Sequence, residues 1–383
     1  MCELIDFEPS RGTFRLNLLS NVSVLALLGS VCVAPSVLAA SNPEGEPTIW
    51  IELGAQAERV DIGQTAFAPH FFDLASPSDL GAMIDAQRPS RYSIGGLGRV
   101  SFEPSGTNWV FSASVQYGRS NSARHIHHET PGLPAEYWTY RGRPLLQYTP
   151  RVREFGDGQA ATRETHVTLD FVAGKDVGLG LFGAHSHATI QAGLRFAQFT
   201  SRADTTLHAR PVNVATQKYN PGVYNVYLQH VRTYTAVLHA KRSTHALGPS
   251  ISWDSSTVVA GSDNDAQISL DWGVNAAVLF GRQRVVTHHQ TSGAYRMGPV
   301  AVTAAPVSSY SYDGPTQSRS KRITIPNIGG FAGVSVQFPN AKVSLGYRGD
   351  FFFNATDTGI DSRKSADQEF YGPFANITIG LGG

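Results

Sequence analysis

The stretch that decides the fold is ISLDWGVNAAVLF, residues 268–280. Apolar side chains occupy its even positions, and mostly polar or small side chains occupy its odd positions, which is the two-residue period of a β-strand. The segment is longer than the usual strand of about five or six residues. A tilted β-strand needs about 9–11 residues to cross a bilayer, so this segment is long enough to cross one.

The same alternation recurs along the chain. Further alternating segments lie at 49–57, 92–102, 109–117, 165–171, 190–196, 233–254, 328–338, 343–351 and 375–381. Apolar faces of this length must meet lipid or another sheet, and in lipid an open sheet edge would leave backbone groups without hydrogen bonds. The pattern predicts an all-β fold, a closed antiparallel transmembrane β-barrel of about ten strands, with a range of about 8–12.

Two features leave details of the strands open. The apolar positions of 233–254 are even in the first half and odd in the second, which predicts a β-bulge near Ser243–Gly248. A hairpin around Tyr137–Tyr148 would add two strands and bring the barrel to about twelve.

The connections between the strands alternate in length. Short turns are predicted near 103–106, 262–265 and 339–341, and long polar segments near 59–89, 119–161, 202–231, 285–321 and 354–368. Outer-membrane barrels have short periplasmic turns at one end and long extracellular loops at the other. The chain is therefore expected in the outer membrane of a Gram-negative bacterium, with long extracellular loops.

The amino-terminal segment has the features of a signal peptide. Arg11 and Arg15 precede the apolar run of residues 22–33, and small residues follow at Ala39 and Ala40. We predict a cleaved signal peptide over residues 1–39 and a single barrel domain over residues 40–383. Because both cysteines lie in the removed segment, the mature chain would contain no thiol for a metal site or a nucleophile.

The charge composition excludes other classes of protein. The 383 residues include 31 Lys plus Arg and 30 Asp plus Glu, a net charge of +1. This balance offers no basic stripe for neutralising phosphates, so we expect no nucleic-acid partner. Charged residues make up 16% of the chain, against roughly 25% in typical soluble domains. A lipid-facing surface accounts for the deficit, because it excludes charge.

The positions opposite the apolar faces carry polar side chains that would line the barrel interior. Those predicted to line the lumen are Asp170, Arg195, His239, Lys241, Asp271, Asn275, Arg348 and Asp350. A polar lumen predicts a porin-like passive channel for small solutes or ions. The alternatives are a surface adhesin or receptor that acts through its long loops, and a protease-type outer-membrane barrel.

No catalytic, cofactor-binding or metal-binding residues are predicted. The sequence GLGLFG at 178–183 matches the G-x-G-x-x-G pattern, but an alternating strand follows it where a dinucleotide site requires a helix. The histidines at 125–128 and 288–289 have no carboxylate at a fixed spacing that would complete a metal site. The chain is therefore expected not to be an enzyme.

Several strand fragments are similar to sequences of a known family. They are HVTLDF at 166–171, DVGLG at 176–180, AGLRFAQF at 192–199, LGPSISWD at 247–254, LDWG at 270–273 and LGYR at 345–348. Over residues 162–354 the chain thereby resembles the Legionella-type major outer membrane protein family, a group of pore-forming proteins. The resemblance implies a pore or structural role and carries no active-site residues.

The expected partners follow from the membrane location and the basic residues. Arg greatly outnumbers Lys, and its planar donors can pair with carboxylates in the lumen or with anionic sugars and phosphates of the outer leaflet. Outer-membrane lipid and lipopolysaccharide, together with small solutes or ions, are therefore the expected partners.

Overall fold

The computed structural model describes residues 48–62, 93–129, 136–140, 143–147, 155–177, 186–210, 215–218, 226–261, 266–299 and 307–381. Every element assigned in these ranges is a β-strand. Within them, no helix is long and apolar enough to cross a bilayer. The predicted signal peptide and the glycine-rich segment at 178–183 lie outside the described residues.

Fourteen strands follow one another along the described chain. They are β1 (Thr48–Ile62), β2 (Ser93–Glu103), β3 (Trp109–Glu129), β4 (Glu136–Tyr140), β5 (Arg143–Gln147), β6 (Phe155–Asp176), β7 (Ser186–Arg210), β8 (Ala215–Lys218), β9 (Val226–Ala260), β10 (Gln267–Pro299), β11 (Val307–Asp313), β12 (Gln317–Phe338), β13 (Ala341–Asp357) and β14 (Ser365–Leu381).

Ten of these strands form one closed barrel. The order around the wall is β1, β2, β3, β6, β7, β9, β10, β12, β13 and β14, and β14 pairs back with β1. All the pairings are antiparallel, and the closing pair runs from Ile49 opposite Leu381 to Ile62 opposite Gln368. The predicted closed antiparallel transmembrane β-barrel of about ten strands is confirmed.

The other four strands do not enlarge the barrel. β8 pairs with β9 and β11 pairs with β10, each along part of a longer strand. β4 and β5 pair with each other as a separate two-stranded sheet. The hairpin predicted around Tyr137–Tyr148 therefore exists, but it does not raise the strand number of the barrel to twelve.

The two ends of the barrel differ in how far the strands extend. β2 joins β3 through residues 104–108, and β12 joins β13 through residues 339–340, at what we call the short-turn end. At the other end, most of the segments predicted as loops at 119–161, 202–231 and 285–321 continue as paired strands. As a result β9 has 35 residues and β10 has 33, far more than a bilayer crossing needs.

Large apolar side chains are exposed on the outer wall in the half of the barrel near the short turns. On β9 they include Leu247 and Ile251, and on β10 they include Val274 and Phe280. The inward-facing residues of the same strands near the short turns include polar side chains, such as Ser250 on β9 and Asp271 on β10. We call this outer band the apolar belt; it is the surface that a bilayer would cover.

Beyond the belt, the polarity of the two faces of β9 is reversed. Ala236, Leu238 and Ala240 are buried inside the barrel, whereas His239 and Lys241 are exposed on its outer wall. The register with β10 is the same at Leu247 opposite Phe280 as at Ser250 opposite Ala277. The β-bulge predicted near Ser243–Gly248 is therefore wrong. The change of phase in the sequence records a change of surroundings, from lipid to water, along a regular strand.

Gly248 marks a place where two strands approach closely. A Cβ atom added there would lie 1.9 Å from the backbone oxygen of Val278 on β10. We expect Gly248→Val to force the strands apart and to cost about 1–3 kcal/mol of stability, as overpacking does elsewhere. The measurement is the urea midpoint of the gel-mobility shift between folded and heat-unfolded barrel. Gly96→Val is the matched control, because no atom lies within 4 Å of that position. Equal midpoints for the two variants would contradict the expected clash.

Candidate functional site in the barrel interior

A polar cavity of about 290 Å³ lies inside the barrel near the short-turn end. Its three carboxylates and three Arg or Lys side chains are Glu52, Asp254, Asp271, Arg99, Lys342 and Arg348, and His187 also lines it. Lys342 Nζ lies 2.7 Å from Asp271 Oδ2, and Arg99 Nε lies 3.7 Å from Glu52 Oε2. We call this cavity the vestibule. Because its carboxylates and its Arg and Lys side chains are equal in number, it carries no strong bias toward ions of either sign.

Arg195 on β7 connects four strands of the inner wall. Its Nε and Nη2 atoms donate to the two oxygens of Asp170 on β6, at 2.6 and 3.1 Å. Its Nη1 atom donates to Asn275 Oδ1 on β10 at 2.6 Å, and also to Asn327 Oδ1 on β12. The structure thus brings together three of the residues predicted to line the lumen. Sequence reasoning missed Asn327 because the alternating segment was expected to begin at residue 328.

Three more of the predicted residues also lie on the inner wall. Arg348 Nε donates to Asp350 Oδ2 at 3.0 Å on β13, and Asp271 belongs to the vestibule. Asp271 is also held by Ser256, whose Oγ lies 2.6 Å from its Oδ1. The inner wall is therefore cross-linked by charged hydrogen bonds, which restrict the side chains that face the lumen.

The prediction that His239 and Lys241 line the lumen is wrong. Both are on the outer wall, where His239 Nδ1 lies 2.7 Å from Asp204 Oδ1 on β7. The error has a physical cause. Sequence alternation separates the two faces of a strand, and the prediction places the apolar face toward lipid along the whole of β9. Beyond the belt the outer wall meets water, so there the apolar face is the inner one.

Three phenylalanines meet across the middle of the barrel. Phe199 comes from β7, Phe352 from β13 and Phe370 from β14, and each is 2–3% exposed. The ring centroid of Phe199 lies 4.8 Å from that of Phe352 and 5.8 Å from that of Phe370. β7 and β14 lie on opposite sides of the ten-stranded wall, so these contacts span the interior. We call the three residues the aromatic cluster.

Aliphatic side chains complete the closure at the same level. Leu279 of β10 and Ile325 of β12 are fully buried in one cluster with the three rings, as is Ala197 of β7. A barrel of ten strands is wider than the eight-stranded barrels that side chains alone fill. Here large aromatic residues from opposite walls close the gap, and the interior at this level is packed and apolar.

On the far side of the aromatic cluster, residues 354–361 turn into the barrel. Asn354 has a φ of 58°, the left-handed region that favours glycine. The register between β13 and β14 shifts between Phe352 and Thr356, at the same place. All the residues from Ala355 to Ile360 are buried. We call residues 354–361 the inserted segment; the sequence predicts only a loop there.

Side chains of the inner wall hold the backbone of the inserted segment. Arg242 Nε of β9 donates to the carbonyl of Asp357 at 2.8 Å, and Thr244 Oγ1 donates to that of Ala355 at 2.9 Å. Arg319 of β12 donates to the carbonyls of Gly359 and Ile360, at 2.6 and 2.5 Å. The bonds from Arg242 and Thr244 come from β9, which does not neighbour β13 in the wall, so they fix the segment within the mouth.

Asp357 is the anchor within the inserted segment. Its Oδ2 accepts a bond of 2.6 Å from Arg319 Nε, and its Oδ1 accepts bonds of 3.0 Å from the backbone N–H groups of Gly359 and Lys364. Burial raises the pKa of this carboxyl, but the hydrogen bonds from Arg319, Lys364 and Gly359 outweigh burial and hold the pKa below its ordinary value. Asp357 therefore favours the inserted conformation while it is ionised.

Ionisable side chains lie directly beside the aromatic cluster. His166 of β6 packs on Phe370, with ring centroids 3.9 Å apart, and its Nε2 lies 3.3 Å from Glu58 Oε2 of β1. The side chains are 4% and 0% exposed, and neither those two atoms nor Glu58 Oε1 make a hydrogen bond of good geometry. Polar groups left in this state in an apolar interior cost free energy, commonly about 1–3 kcal/mol each.

Several histidines beyond the belt form ion pairs with carboxylates. His125 and His127 of β3 both lie against Asp157 of β6, on the outer wall. In the ranges that the structure describes, no group of three or more His, Cys, Asp or Glu side chains is placed to hold a metal ion. Exposed pairs of this kind contribute only about 0–1 kcal/mol, so they are ordinary surface ion pairs.

Comparisons with known proteins give weak structural likenesses. No family model and no curated protein matches the chain. Among solved structures, a deltaS2 mutant of the TodX monoaromatic hydrocarbon channel is 9% identical, with 89% of this chain and 91% of that chain covered and a TM-score of 0.22. The Pseudomonas putida toluene transporter TodX is 10% identical, with 88% and 89% covered and a TM-score of 0.20. The Escherichia coli outer membrane protease OmpT is 9% identical, with 90% and 99% covered and a TM-score of 0.17. These scores add nothing to the strand order and register described above.

Proposed function

We propose that the chain is a gated outer-membrane channel for small polar solutes or ions, closed in this conformation by the aromatic cluster and the inserted segment. Closed barrels with an outer apolar belt are the form in which β-strands cross the outer membrane of Gram-negative bacteria. The signal peptide predicted over residues 1–39 would bring the chain to the periplasm. In that membrane the short-turn end faces the periplasm and the extended strands face the exterior.

The observation that carries the proposal is that polar inward-facing side chains lie on both sides of a closure made of side chains, although beyond the closure the inner face of β9 also carries apolar residues such as Ala236 and Leu238. The vestibule lies on the short-turn side of the aromatic cluster. Inward-facing Arg242, Thr287 and Arg319 lie on the other side, bound to the inserted segment. The aromatic cluster, the aliphatic side chains packed with it and the inserted segment therefore separate two regions of the lumen that carry polar side chains.

The ionisable groups beside the closure favour a channel over an inert scaffold. Glu58 and His166 lie beside the aromatic cluster with incomplete hydrogen bonding. Apolar side chains of similar volume would pack there at a lower cost. In a conformation that admits water to the lumen, these groups regain their hydrogen bonds, and the cost is confined to the closed state.

This proposal differs from the passive channel that the sequence predicts, because a passive channel requires an interior that is open at all times. We expect the purified chain in phospholipid bilayers free of lipopolysaccharide to show stepwise current openings separated by long closed intervals. The measurement is single-channel recording, with heat-unfolded chain as the control. Folded protein that passes no current at any applied voltage would contradict the proposal.

A further inference from the structure

A dense group of basic side chains lies on the outer wall just beyond the apolar belt. Three consecutive rows of outward-facing residues run across β6, β7, β9, β10 and β12 there. The first row is Val167, Gln198, His245, Arg282 and Arg322; the second is Thr165, Thr200, Ser243, Arg284 and Ser320; the third is Arg163, Arg202, Lys241, Val286 and Ser318. We call the six Arg and Lys residues of these rows the basic patch; all six are exposed.

Within the basic patch, like charges lie directly opposite one another on neighbouring strands. Arg163 is opposite Arg202, and Arg202 is opposite Lys241. In the first row, Arg282 is opposite Arg322. Such pairs destabilise a sheet when nothing neutralises them. The three rows hold no carboxylate, and the acid that contacts the patch from the next row is Asp204, 3.1 Å from Arg202.

The position of the basic patch matches an amphipathic ligand. Leu247 and Phe280, at the upper edge of the belt, are 51% and 58% exposed. His245 and Arg282 lie two residues farther from the short-turn end than Leu247 and Phe280, on the same face. An open groove at this boundary is lined by Phe196, Leu247 and Phe280 on one side and by His245, Arg282 and Arg322 on the other. Acyl chains would lie against the first set, and phosphates would reach the second.

The basic residues beyond the belt are concentrated in one sector of the wall, with Arg59 on β1 outside that sector. On β1 and β14, on the other side of the barrel, the outward residues at the corresponding level include Asp61, Asp367 and Glu369. Asp61 lies directly opposite Glu369. Since that sector is acidic and the patch is basic, an anionic lipid would be directed to β6–β12.

We propose that the basic patch binds one lipopolysaccharide molecule of the outer leaflet, an acylated sugar phosphorylated at both ends of a disaccharide. The inference rests on the outer-membrane location in the proposed function, but not on channel activity. Arg presents planar donors that match phosphate geometry. The first and third rows are four residues apart along a strand, or about 13 Å, which suits two phosphates at the ends of a disaccharide. The hydroxyl groups of the second row lie between them and can donate to the sugars.

The test is binding of purified deep-rough lipopolysaccharide to the full barrel in detergent, followed by native mass spectrometry. We expect Arg282→Gln/Arg322→Gln to weaken binding at least tenfold, and Arg163→Gln/Lys241→Gln to weaken it to a similar extent. Arg363→Gln, an exposed arginine in the turn after β13, is the control and should bind as the native chain does. Lipopolysaccharide stripped of its phosphates should bind poorly to every form.

The urea resistance of the lipid-free barrel shows whether the substituted residues bind the lipid or only stabilise the fold. Removing repelling charges should leave the lipid-free barrel as resistant to urea as the native barrel, or more so, while binding is lost. Equal binding by native chain and the Arg282→Gln/Arg322→Gln variant would overturn the proposal. So would equal binding of cardiolipin vesicles and lipopolysaccharide, because the patch would then be a general anionic-lipid surface. Since the channel recordings use bilayers without lipopolysaccharide, failure of either experiment leaves the other one intact.

Discussion

The Phe352→Ala barrel is expected to conduct almost continuously, with an open probability at least tenfold above that of the native barrel. Phe352 is 2% exposed and contacts both of its partners in the aromatic cluster. Its truncation removes the ring that bridges Phe199 and Phe370, and so leaves a gap across the lumen. Truncating a buried Phe typically costs about 3–5 kcal/mol of stability. Single-channel recording measures the effect, after gel mobility without boiling has verified that the variant is folded.

The adjacent residue provides a matched control. Phe353 lies on the same strand but on the outer wall, where its side chain is 40% exposed. Phe353→Ala removes the same atoms from the lipid-facing surface, so its open probability should equal that of the native barrel. If the Phe352→Ala and Phe353→Ala barrels have equal open probabilities, the aromatic cluster is not the closure.

Asp357→Asn is expected to release the inserted segment. The substitution keeps the shape of the side chain but removes the charge that accepts bonds from Arg319 and from two backbone N–H groups. Charge-assisted hydrogen bonds are roughly twice as strong as neutral ones, so the segment loses its main anchor. We expect protection of the Gly359 and Lys364 amides from hydrogen exchange to fall at least tenfold. Mass spectrometry of peptides that cover these two residues measures the change.

Asp361→Asn is the comparison within the same segment. Asp361 has one described side-chain partner, His289, whose Nε2 lies 2.7 Å from its Oδ1, and its side chain is 39% exposed. Losing this bond should change the protection only slightly. The anchoring role of Asp357 would be contradicted if both substitutions lowered protection equally.

The charge of Asp357 also gives the segment a pH dependence. Because its pKa is held below the ordinary value of 3.8, its stabilisation is fully present above about pH 3.8 and is lost as the pH falls through the lower value. Native barrel should therefore lose amide protection in the inserted segment only below about pH 4. The Asp357→Asn form, already released, should show no such step, and a native segment that stays protected to pH 2 would contradict this account.

The sequence predicted the wall of the barrel more completely than its interior. The alternation of residues 268–280 reflects a strand whose two faces meet different solvents, and this is a local property. Whether a given face points into the barrel or outward is not a local property of the strand. Tyr234, Ala236 and Leu238 form an apolar face like that of the belt, yet they point inward because the surroundings of the outer wall change beyond it.

The closure of the lumen has no sequence signature either. Phe199 and Phe370 are far apart in the chain, and they meet only because β7 and β14 lie on opposite sides of a ten-stranded wall. The inserted segment reads as a polar loop, and its burial depends on donors from β9, β10 and β12. Contacts across a barrel depend on the strand number and the register, which alternation does not give.

The pairing of β1 with β14 has a consequence for the way the molecule is made. The first and last strands of the wall share twelve residue pairs, so the cylinder can close only after nearly all of the described chain has been translocated. Every earlier intermediate is a sheet with two free edges, each able to pair with a strand of another molecule. The entropic cost of joining such distant segments grows only slowly with their separation. The pairing of β1 with β14 offsets this cost in a single step. Assembly therefore ends with the event that removes both free edges, and until that event the nascent chain depends on protection by other factors.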